Sequence, residues 1–257
     1  MHPNASPNPA PLAGVSGIVG AIPARYGSTR LPGKPLLPIA GRPMIEHVYA
    51  RVARARGLDR VVVLTDDERI AKAVEGFGGE VEMTPGDCAS GTDRIAFAAR
   101  RWEAAKAIIN IQGDEPLIDP EEVSRIAEHL AANPGDPVVT LATPATPEEM
   151  ANPNAVKVVL ARDGAALYFS RSPIPFPRNA GGFAPLKHLG IYGYQREALL
   201  RLAGLPPSPL ERSESLEQLR ALENGMGIRV LTVERGSFGV DTAEDLERVE
   251  KILMESI

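Results

Sequence analysis

The stretch Ile22–Pro35, IPARYGSTRLPGKP, decides how the rest of the chain is interpreted. It follows an apolar run, Val15–Ile22, that is typical of a buried strand, and it carries three cations, Arg25, Arg30 and Lys34. Small residues let backbone N–H groups approach phosphate oxygens, while arginine and lysine supply charge and directed donors. The spacing fits neither a Walker A nor a GxGxxG pattern. The stretch predicts a βα loop suited to a polyphosphate, with a merely solvated loop as the alternative.

Apolar runs of strand character alternate with helical patterns through the first half of the chain. Runs of strand type occupy 60–67, 80–83 and 138–142, and helical patterns occupy 68–76 and 120–130. Such alternation indicates parallel strands joined by crossover helices that lie on the faces of the sheet. With 257 residues, the chain can form one large domain or two small ones.

Two acidic residues stand at the ends of extended segments. Asp114 follows an isoleucine-rich run in the sequence NIQGDEP, and Asp241 precedes the last helix, where Thr242 and Asp245 fit a capping box. Open α/β sheets bind ligands at the carboxyl ends of their strands. A carboxylate that faces a triphosphate there is a natural Mg²⁺ ligand, although a turn aspartate can also cap its own backbone. The pattern favours metal binding at Asp114.

A short polar turn in the sequence CASGTDR precedes a helical pattern that ends near Arg101. Ser90, Gly91 and Thr92 lie where that helix is expected to begin. A helix N-terminus offers free N–H groups and a partial positive charge. Helix capping by Ser90 or Thr92 is compatible with ligand binding, so the turn is a second candidate binding segment.

The region 143–194 differs from the segments before it, because loops rich in proline and glycine separate its short strands. The runs 156–161 and 166–170 predict a β-hairpin. The segment 172–185 predicts a long surface loop, and 188–194 alternates as a strand does. The region therefore predicts an antiparallel insertion that can serve acceptor specificity and subunit contacts.

The segment 207–225 predicts a single capped amphipathic helix with leucines on its apolar face. From the pattern alone, Glu217 and Gln218 are interpreted as solvated residues on the polar face of that helix.

Composition and charge exclude several classes of protein. The formal net charge of −5 argues against a general nucleic-acid binder. Cys88 is the only cysteine, so an intrachain disulfide is impossible. No apolar run approaches the roughly 18 residues of a membrane span. Residues 1–13 alternate with prolines and lack the features of a secretory signal, which predicts a disordered tail before a domain at 14–257.

Eight motifs occur in order: IPARYGSTRLPGKPL, SGTDR, NIQGDEP, NPNAVKVV, ALYFSR, HLGIYGY, LEQLR and GVDTAEDLERV. Together they closely resemble the 3-deoxy-manno-octulosonate (Kdo) cytidylyltransferases, or CMP-Kdo synthetases, from about Val15 to the end. The first loop also occurs in related sugar nucleotidyltransferases, whereas QGDEP, HLGIYGY and LEQLR in combination are specific. The resemblance implies a Rossmann-like α/β nucleotidyltransferase domain of the nucleotide-diphospho-sugar transferase type. Its mixed, mostly parallel sheet has flanking helices and a small antiparallel β insertion, 143–194, for sugar binding and dimerisation.

The resemblance also implies a Mg²⁺-dependent reaction, CTP + Kdo → CMP-Kdo + pyrophosphate, for lipopolysaccharide biosynthesis in the cytoplasm. The implied catalytic residues, whose two aspartates are the metal ligands, are Arg25, Lys34, Asp114 and Asp241. The implied CTP-binding residues are Arg25, Ser28, Arg30, Lys34, Ser90, Gly91 and Thr92. The implied Kdo-binding residues are Arg94, Gln112, His188, Tyr192, Glu217 and Gln218.

The expected partners are CTP and Kdo, with neither nucleic acid nor membrane insertion, and the expected assembly is a homodimer. One alternative is a CMP-sugar synthetase that acts on sialic acid or on an 8-amino analogue of Kdo. Another is a non-catalytic nucleotide-binding or assembly protein on the same fold. Asp114 and Asp241 together argue against the latter, because binding alone does not require two metal ligands.

Overall fold

The computed structural model describes residues 12–27, 31–179, 184–236 and 239–255. Strands in these residues are β1 (Ser16–Ala24), β2 (Pro38–Ile39), β3 (Arg42–Pro43), β4 (Arg60–Thr65), β5 (Val81–Met83), β6 (Ala104–Asn110), β7 (Val138–Pro144), β8 (Lys157–Leu160), β9 (Ala166–Ser170), β10 (Leu186–Gln195) and β11 (Ile228–Thr232). Helices are α1 (Met44–Val52), α2 (Glu68–Gly76), α3 (Gly91–Arg101), α4 (Pro120–Ala132), α5 (Pro147–Ala151), α6 (Arg196–Ala203), α7 (Pro209–Glu214), α8 (Gln218–Glu223) and α9 (Ala243–Glu255), with a 3-10 turn at Lys34–Leu36.

Nine of the described strands form one mixed sheet in the order β11-β7-β10-β6-β1-β4-β5, with β8 and β9 attached at β10. Strands β6, β1, β4 and β5 run parallel, as do β7 and β11. Strand β10 lies antiparallel between β6 and β7. The predicted mixed, mostly parallel sheet with flanking helices is confirmed.

A hydrophobic core covers each face of this sheet. Ile108 and Ile109 are adjacent in β6 but belong to opposite cores, because successive side chains of a strand point to opposite faces. On one face Ile108 shares its core with Ile95 of α3, and on the other Ile109 shares its core with Ile126 of α4. Burying each such side chain stabilises the fold by about 1.5–3 kcal/mol.

A third, smaller core fixes the C-terminal helix near the first loop. It contains Ile39 of β2, Met44 of α1, Val240 and Val249 of α9. The predicted capping box of α9 is present, since Thr242 Oγ1 accepts a hydrogen bond from the Asp245 backbone at 3.2 Å and the Asp245 carboxylate accepts one in return. This packing places the start of α9 beside the 3-10 turn.

The insertion 143–194 has the antiparallel strands that its pattern predicts. Strands β8 and β9 form the predicted hairpin, and β8 also pairs with β10. Two helices were missed: α5, which begins with a capping box at Thr146, and α6, which follows β10 directly. The predicted loop 172–185 contains residues 180–183, which lie outside the described residues.

The single helix predicted at 207–225 is wrong. The segment forms two short helices, α7 and α8, because Ser215 adopts a left-handed conformation with φ 51°. Arg171, on the loop after β9, donates hydrogen bonds to the carbonyls of Glu214 at 2.7 Å and Ser215 at 3.2 Å. Carbonyls that would continue the helix are therefore bonded to a side chain from a distant segment.

Residues 1–11 of the predicted N-terminal tail lie outside the described residues. Leu12 and Ala13 make defined contacts: the Leu12 N–H donates to Glu82 at 3.1 Å, and Arg60 donates to the Ala13 carbonyl at 2.7 Å. Among the described helices, none has the length and apolar character needed to span a membrane.

Candidate active site

A cavity of about 460 Å³ opens beyond the carboxyl ends of β1 and β6, beside the start of the 3-10 turn. Eight residues proposed from the sequence line it: Arg25, Lys34, Ser90, Gly91, Arg94, Gln112, Asp114 and Asp241. They come from four segments that are distant in the chain. The cavity lies at the carboxyl ends of parallel strands, where the sequence pattern placed the ligand.

Lys34 joins the two predicted metal ligands. Its Nζ atom lies 2.6 Å from Asp114 Oδ2 and 3.3 Å from Asp241 Oδ1. The Val240 N–H donates to the Asp114 carbonyl at 2.8 Å, which connects the segment before α9 to the loop after β6. The two carboxylates therefore lie on the same side of the cavity, within hydrogen-bond reach of one ammonium group.

The loop that carries Asp114 packs closely against the end of β1. A Cβ atom on Gly113 would lie 2.9 Å from the Pro23 carbonyl oxygen, closer than real Cβ contacts allow. Glycine is therefore required at this position for the approach of the two backbones. The Glu115 N–H donates to the Gln112 carbonyl at 3.3 Å and turns the loop after Gln112.

The N-terminus of α3 forms another wall of the cavity. Ser90 Oγ accepts a hydrogen bond from the Asp93 N–H at 3.0 Å and donates to the Asp93 carboxylate at 2.9 Å. The predicted N-cap is thus present. Gly91 lies in the first turn, where free N–H groups and the helix dipole favour an anionic ligand.

Arg94 lies in α3, three residues after Gly91, and is only 4% exposed. Its Nη2 atom lies 3.2 Å from Asp66 Oδ1, and its Nη1 donates to Thr84 Oγ1. Asp66 and Thr84 follow the carboxyl ends of β4 and β5. Sequence reasoning missed both residues, although the position of Asp66 at a strand end is the signal by which Asp114 was found.

A second cavity of about 220 Å³ adjoins the first, because Gly91 and Gln112 line both. Thr92, Tyr192, Glu217 and Gln218 also line it, together with Asn110 and Tyr194, which were not proposed from the sequence. The interpretation of Glu217 and Gln218 as solvated surface is wrong. Leu219 is fully buried and anchors α8 against the sheet, which brings the preceding Glu217 and Gln218 to the cavity.

Burial changes the pKa of Glu217, which lines the second cavity. It raises the pKa of Glu217 above its ordinary value, although a hydrogen bond with Thr92 and the charge of Arg220 oppose this shift. The Tyr192 hydroxyl is buried and has no hydrogen-bond partner within the described residues. A buried hydroxyl of this kind can donate to a polar ligand.

Among the proposed site residues that the structure describes, His188 lines neither cavity. His188 lies in β10, where its Nε2 is 3.0 Å from Thr140 Oγ1 and its ring packs against Phe169. Burial lowers the His188 pKa to about 3, so its ring is neutral at physiological pH. Ser28 and Arg30 lie outside the described residues.

The two carboxylates are compatible with Mg²⁺. Within the described part of the chain, no cluster of three or more His, Cys, Asp or Glu can hold a metal ion. Mg²⁺ usually takes only one or two carboxylates and completes its coordination with substrate phosphates and water. Asp114 and Asp241 supply that number beside a cavity large enough for phosphate groups.

Comparison with known proteins identifies the family. A family model described as cytidylyltransferase matches residues 19–228. The chain is 53% identical to the 3-deoxy-manno-octulosonate cytidylyltransferase of Syntrophotalea carbinolica, over 91% of this chain and 97% of that relative. The chain belongs to the 3-deoxy-manno-octulosonate cytidylyltransferase family. The family resemblance of the sequence motifs is thereby confirmed.

Two further similarities agree with this cytidylyltransferase assignment. The family member from Syntrophobacter fumaroxidans is 55% identical over 92% of this chain and 96% of its own length. A solved structure of CMP:2-keto-3-deoxy-manno-octonic acid synthetase complexed with CTP superposes with a TM-score of 0.91. It is 48% identical and covers 94% of this chain and 100% of its own.

Proposed function

We propose that this cytidylyltransferase transfers CMP from CTP to Kdo and releases pyrophosphate, for lipopolysaccharide biosynthesis. The observation that carries the proposal is the convergence of Lys34, Asp114 and Asp241 at one wall of a phosphate-sized cavity. Nucleotidyl transfer needs in-line geometry and compensation of charge on the phosphates more than covalent help from the protein. This site offers cations, helix N–H groups and paired acids for that purpose.

The first cavity is proposed to hold the triphosphate. Arg25 is exposed at its rim and Lys34 lies in its wall, so both cations can stabilise the negative charge on the departing pyrophosphate. The N–H groups at the start of α3, around Gly91, face the same space and favour an anionic group. Arg94, held by Asp66, is proposed to bind the carboxylate of the sugar.

Mg²⁺ is proposed as the cofactor, with Asp114 and Asp241 as its protein ligands. When bound there, the ion would withdraw charge from the reacting oxygens and orient them. The protein's own part is to hold the two carboxylates together, and the Val240–Asp114 backbone hydrogen bond does so independently of any side chain.

The second cavity is proposed to hold the Kdo chain. Tyr192 and Gln218 present hydroxyl and amide groups that can pair with sugar hydroxyls. Thr92, which the family resemblance implies for CTP binding, lines this second cavity and is proposed to lie where the two substrates meet. Burial raises the pKa of Glu217, and its carboxyl oxygens can accept hydrogen bonds from sugar hydroxyls. Gln112 lines both cavities and is proposed to contact Kdo where the two substrates meet.

Pyrophosphate release measured with CTP and each candidate sugar tests the proposal. Kdo should be used, whereas sialic acid and the 8-amino analogue should react far more slowly. Asp114→Ala should lower turnover by ~10²-fold or more while circular dichroism stays unchanged. Glu103→Ala, which removes an exposed carboxylate outside the cavities, is the matched control. No release with Kdo would contradict the proposal and favour a non-catalytic nucleotide-binding protein. Full turnover by Asp114→Ala would instead contradict the catalytic role proposed for Asp114.

A homodimer assembled through the insertion is proposed as the functional state. Leu167 of β9 and Phe176 of the following loop are 62% and 84% exposed, so both large apolar side chains are available to a subunit contact. Light scattering at micromolar concentration should give twice the chain mass of 27.4 kDa. Phe176→Glu should lower that mass, and a monomeric parent protein would exclude the dimer.

The cytoplasm, which supplies CTP, is the proposed location of the enzyme. Cell fractionation should recover the CTP- and Kdo-dependent activity in the cytosolic fraction. Activity confined to the membrane pellet or the periplasm would contradict this location.

A further inference from the structure

The Lys34 ammonium is enclosed by acceptors from the protein itself. Its side chain is 11% exposed, and Nζ contacts Asp114 Oδ2, Asp241 Oδ1 and the Val240 carbonyl oxygen. A lysine ammonium has three N–H donors. All three donors can therefore bond to acceptors of the protein. Two of these acceptors are the carboxylates proposed to bind the metal ion.

The backbone of Lys34 is held by hydrogen bonds that do not involve its side chain. The Lys34 N–H donates to the Leu31 carbonyl at 3.1 Å, its carbonyl accepts from Leu37 at 3.1 Å, and Pro35 is buried. The flexible four-carbon stem of lysine lets the charged end reach several positions from one fixed Cα. The ammonium can therefore move without any change in the fold around it.

The Lys34 ammonium and a divalent metal ion would compete for the carboxylates of Asp114 and Asp241. An ammonium bound to both carboxylates opposes a divalent ion at that place, because like charges at such short range repel strongly. The same ammonium cannot give a full set of hydrogen bonds to a triphosphate while it keeps all three protein acceptors. Nucleotide binding is therefore linked, through the Lys34 side chain, to the loss of the hydrogen bonds that Lys34 makes to Asp114 and Asp241.

We infer that Lys34 is a cationic place-holder: it neutralises the Asp114–Asp241 pair in the nucleotide-free enzyme and moves to the triphosphate when CTP binds. The inference depends on the proposed metal role of the two aspartates. Divalent ions bind the nucleotide-free enzyme weakly for this reason. CTP increases their affinity both by adding phosphate ligands and by withdrawing the ammonium.

Binding of Mn²⁺ to the nucleotide-free enzyme, measured by electron paramagnetic resonance of the free ion, tests this inference. Lys34→Met keeps the length of the stem and removes the charge, so it should bind Mn²⁺ at least ~10-fold more tightly than the parent. Lys34→Gln, a second variant with a neutral polar end, should shift the affinity in the same direction. Circular dichroism establishes that both variants are folded.

Arg25→Met is the matched control, because it removes an exposed cation that lines the same cavity. It should change Mn²⁺ affinity by less than the Lys34 variants. Adding Asp241→Asn to Lys34→Met should abolish the gain, which locates the ion at the acid pair.

Two results would overturn the inference in distinguishable ways. Mn²⁺ affinity equal in the parent and in both Lys34 variants, but strengthened by CTP in all three, would leave the metal site intact and exclude the place-holder. Absence of Mn²⁺ binding in every protein, with and without CTP, would exclude both the place-holder and the metal role of the aspartates.

Discussion

Replacing Glu122 by glutamine should stabilise the protein at neutral and alkaline pH. Glu122 lies in the first turn of α4 and is only 5% exposed. Its Oε2 atom has no hydrogen-bond partner in the described part of the chain. Burial, followed by the negative charges of Glu115 and Asp119, raises its pKa from the ordinary 4.5 to about 7.

The sign of the effect follows from proton linkage. Well below pH 4.5 the carboxyl group is protonated in both states, so the raised pKa has no effect there. Between pH 4.5 and 7 the unfolded chain ionises first and the free energy of unfolding falls; above pH 7 the loss is complete. At about 1.36 kcal/mol per pKa unit, this loss is about 3 kcal/mol. Glutamine stays neutral, so Glu122→Gln should recover up to about 3 kcal/mol at pH 8 and less than about 1 kcal/mol at pH 5.

Urea unfolding followed by circular dichroism between pH 5 and pH 8, at one protein concentration, measures this difference. Glu121→Gln is the matched control, because Glu121 is adjacent but exposed and paired with Arg56, which lowers its pKa. The stability that ionised Glu121 contributes is lost only as the pH falls toward and below the ordinary pKa of glutamate. The effect of its substitution should therefore hardly vary between pH 5 and 8. A Glu122→Gln effect that does not grow with pH, or a loss of stability at pH 8, would refute the reasoning.

Three further predictions concern positioning, packing and ionisation. Asp66→Asn should raise the KM for Kdo about tenfold with little change in the KM for CTP, because it frees the Arg94 guanidinium; equal changes in both KM values would contradict this role. Lys157→Met should cost about 3 kcal/mol, or roughly 6–12 °C in Tm, because buried Lys157 donates to three backbone carbonyls; an unchanged Tm would refute it. The His188 ring should show no titration by NMR between pH 5 and 8, because burial lowers its pKa to about 3, and a midpoint near 6.5 would contradict that burial.

Elements with strong local signals were predicted well. Helix α2 occupies Glu68–Gly76, as the pattern indicated, because the Asp67 carboxylate caps it by accepting a hydrogen bond from the Arg69 N–H at 2.9 Å. The capping box at Thr242 likewise marks the start of α9. Both signals consist of hydrogen bonds between residues two or three positions apart, so they can be predicted from the neighbouring sequence.

Elements that depend on distant partners were not predicted. The break between α7 and α8 is set by Arg171, which lies more than 40 positions earlier in the chain. Glu217 and Gln218 appear polar and solvated in the sequence, and the packing of α8 against the sheet determines that they line a cavity. Amphipathic periodicity alone cannot identify which neighbour will cover a helix.

The sequence by itself determined the alternation of strands and helices, their caps, and the presence of acids and cations at strand ends. These features arise from interactions within a few residues, and the family motifs were recognisable from them. Only the tertiary structure decided that Lys34 meets Asp114, 80 positions away, and Asp241, 207 positions away. The order of strands in the sheet and the packing of α9 bring these residues together, and both depend on how distant hydrophobic faces cover one another.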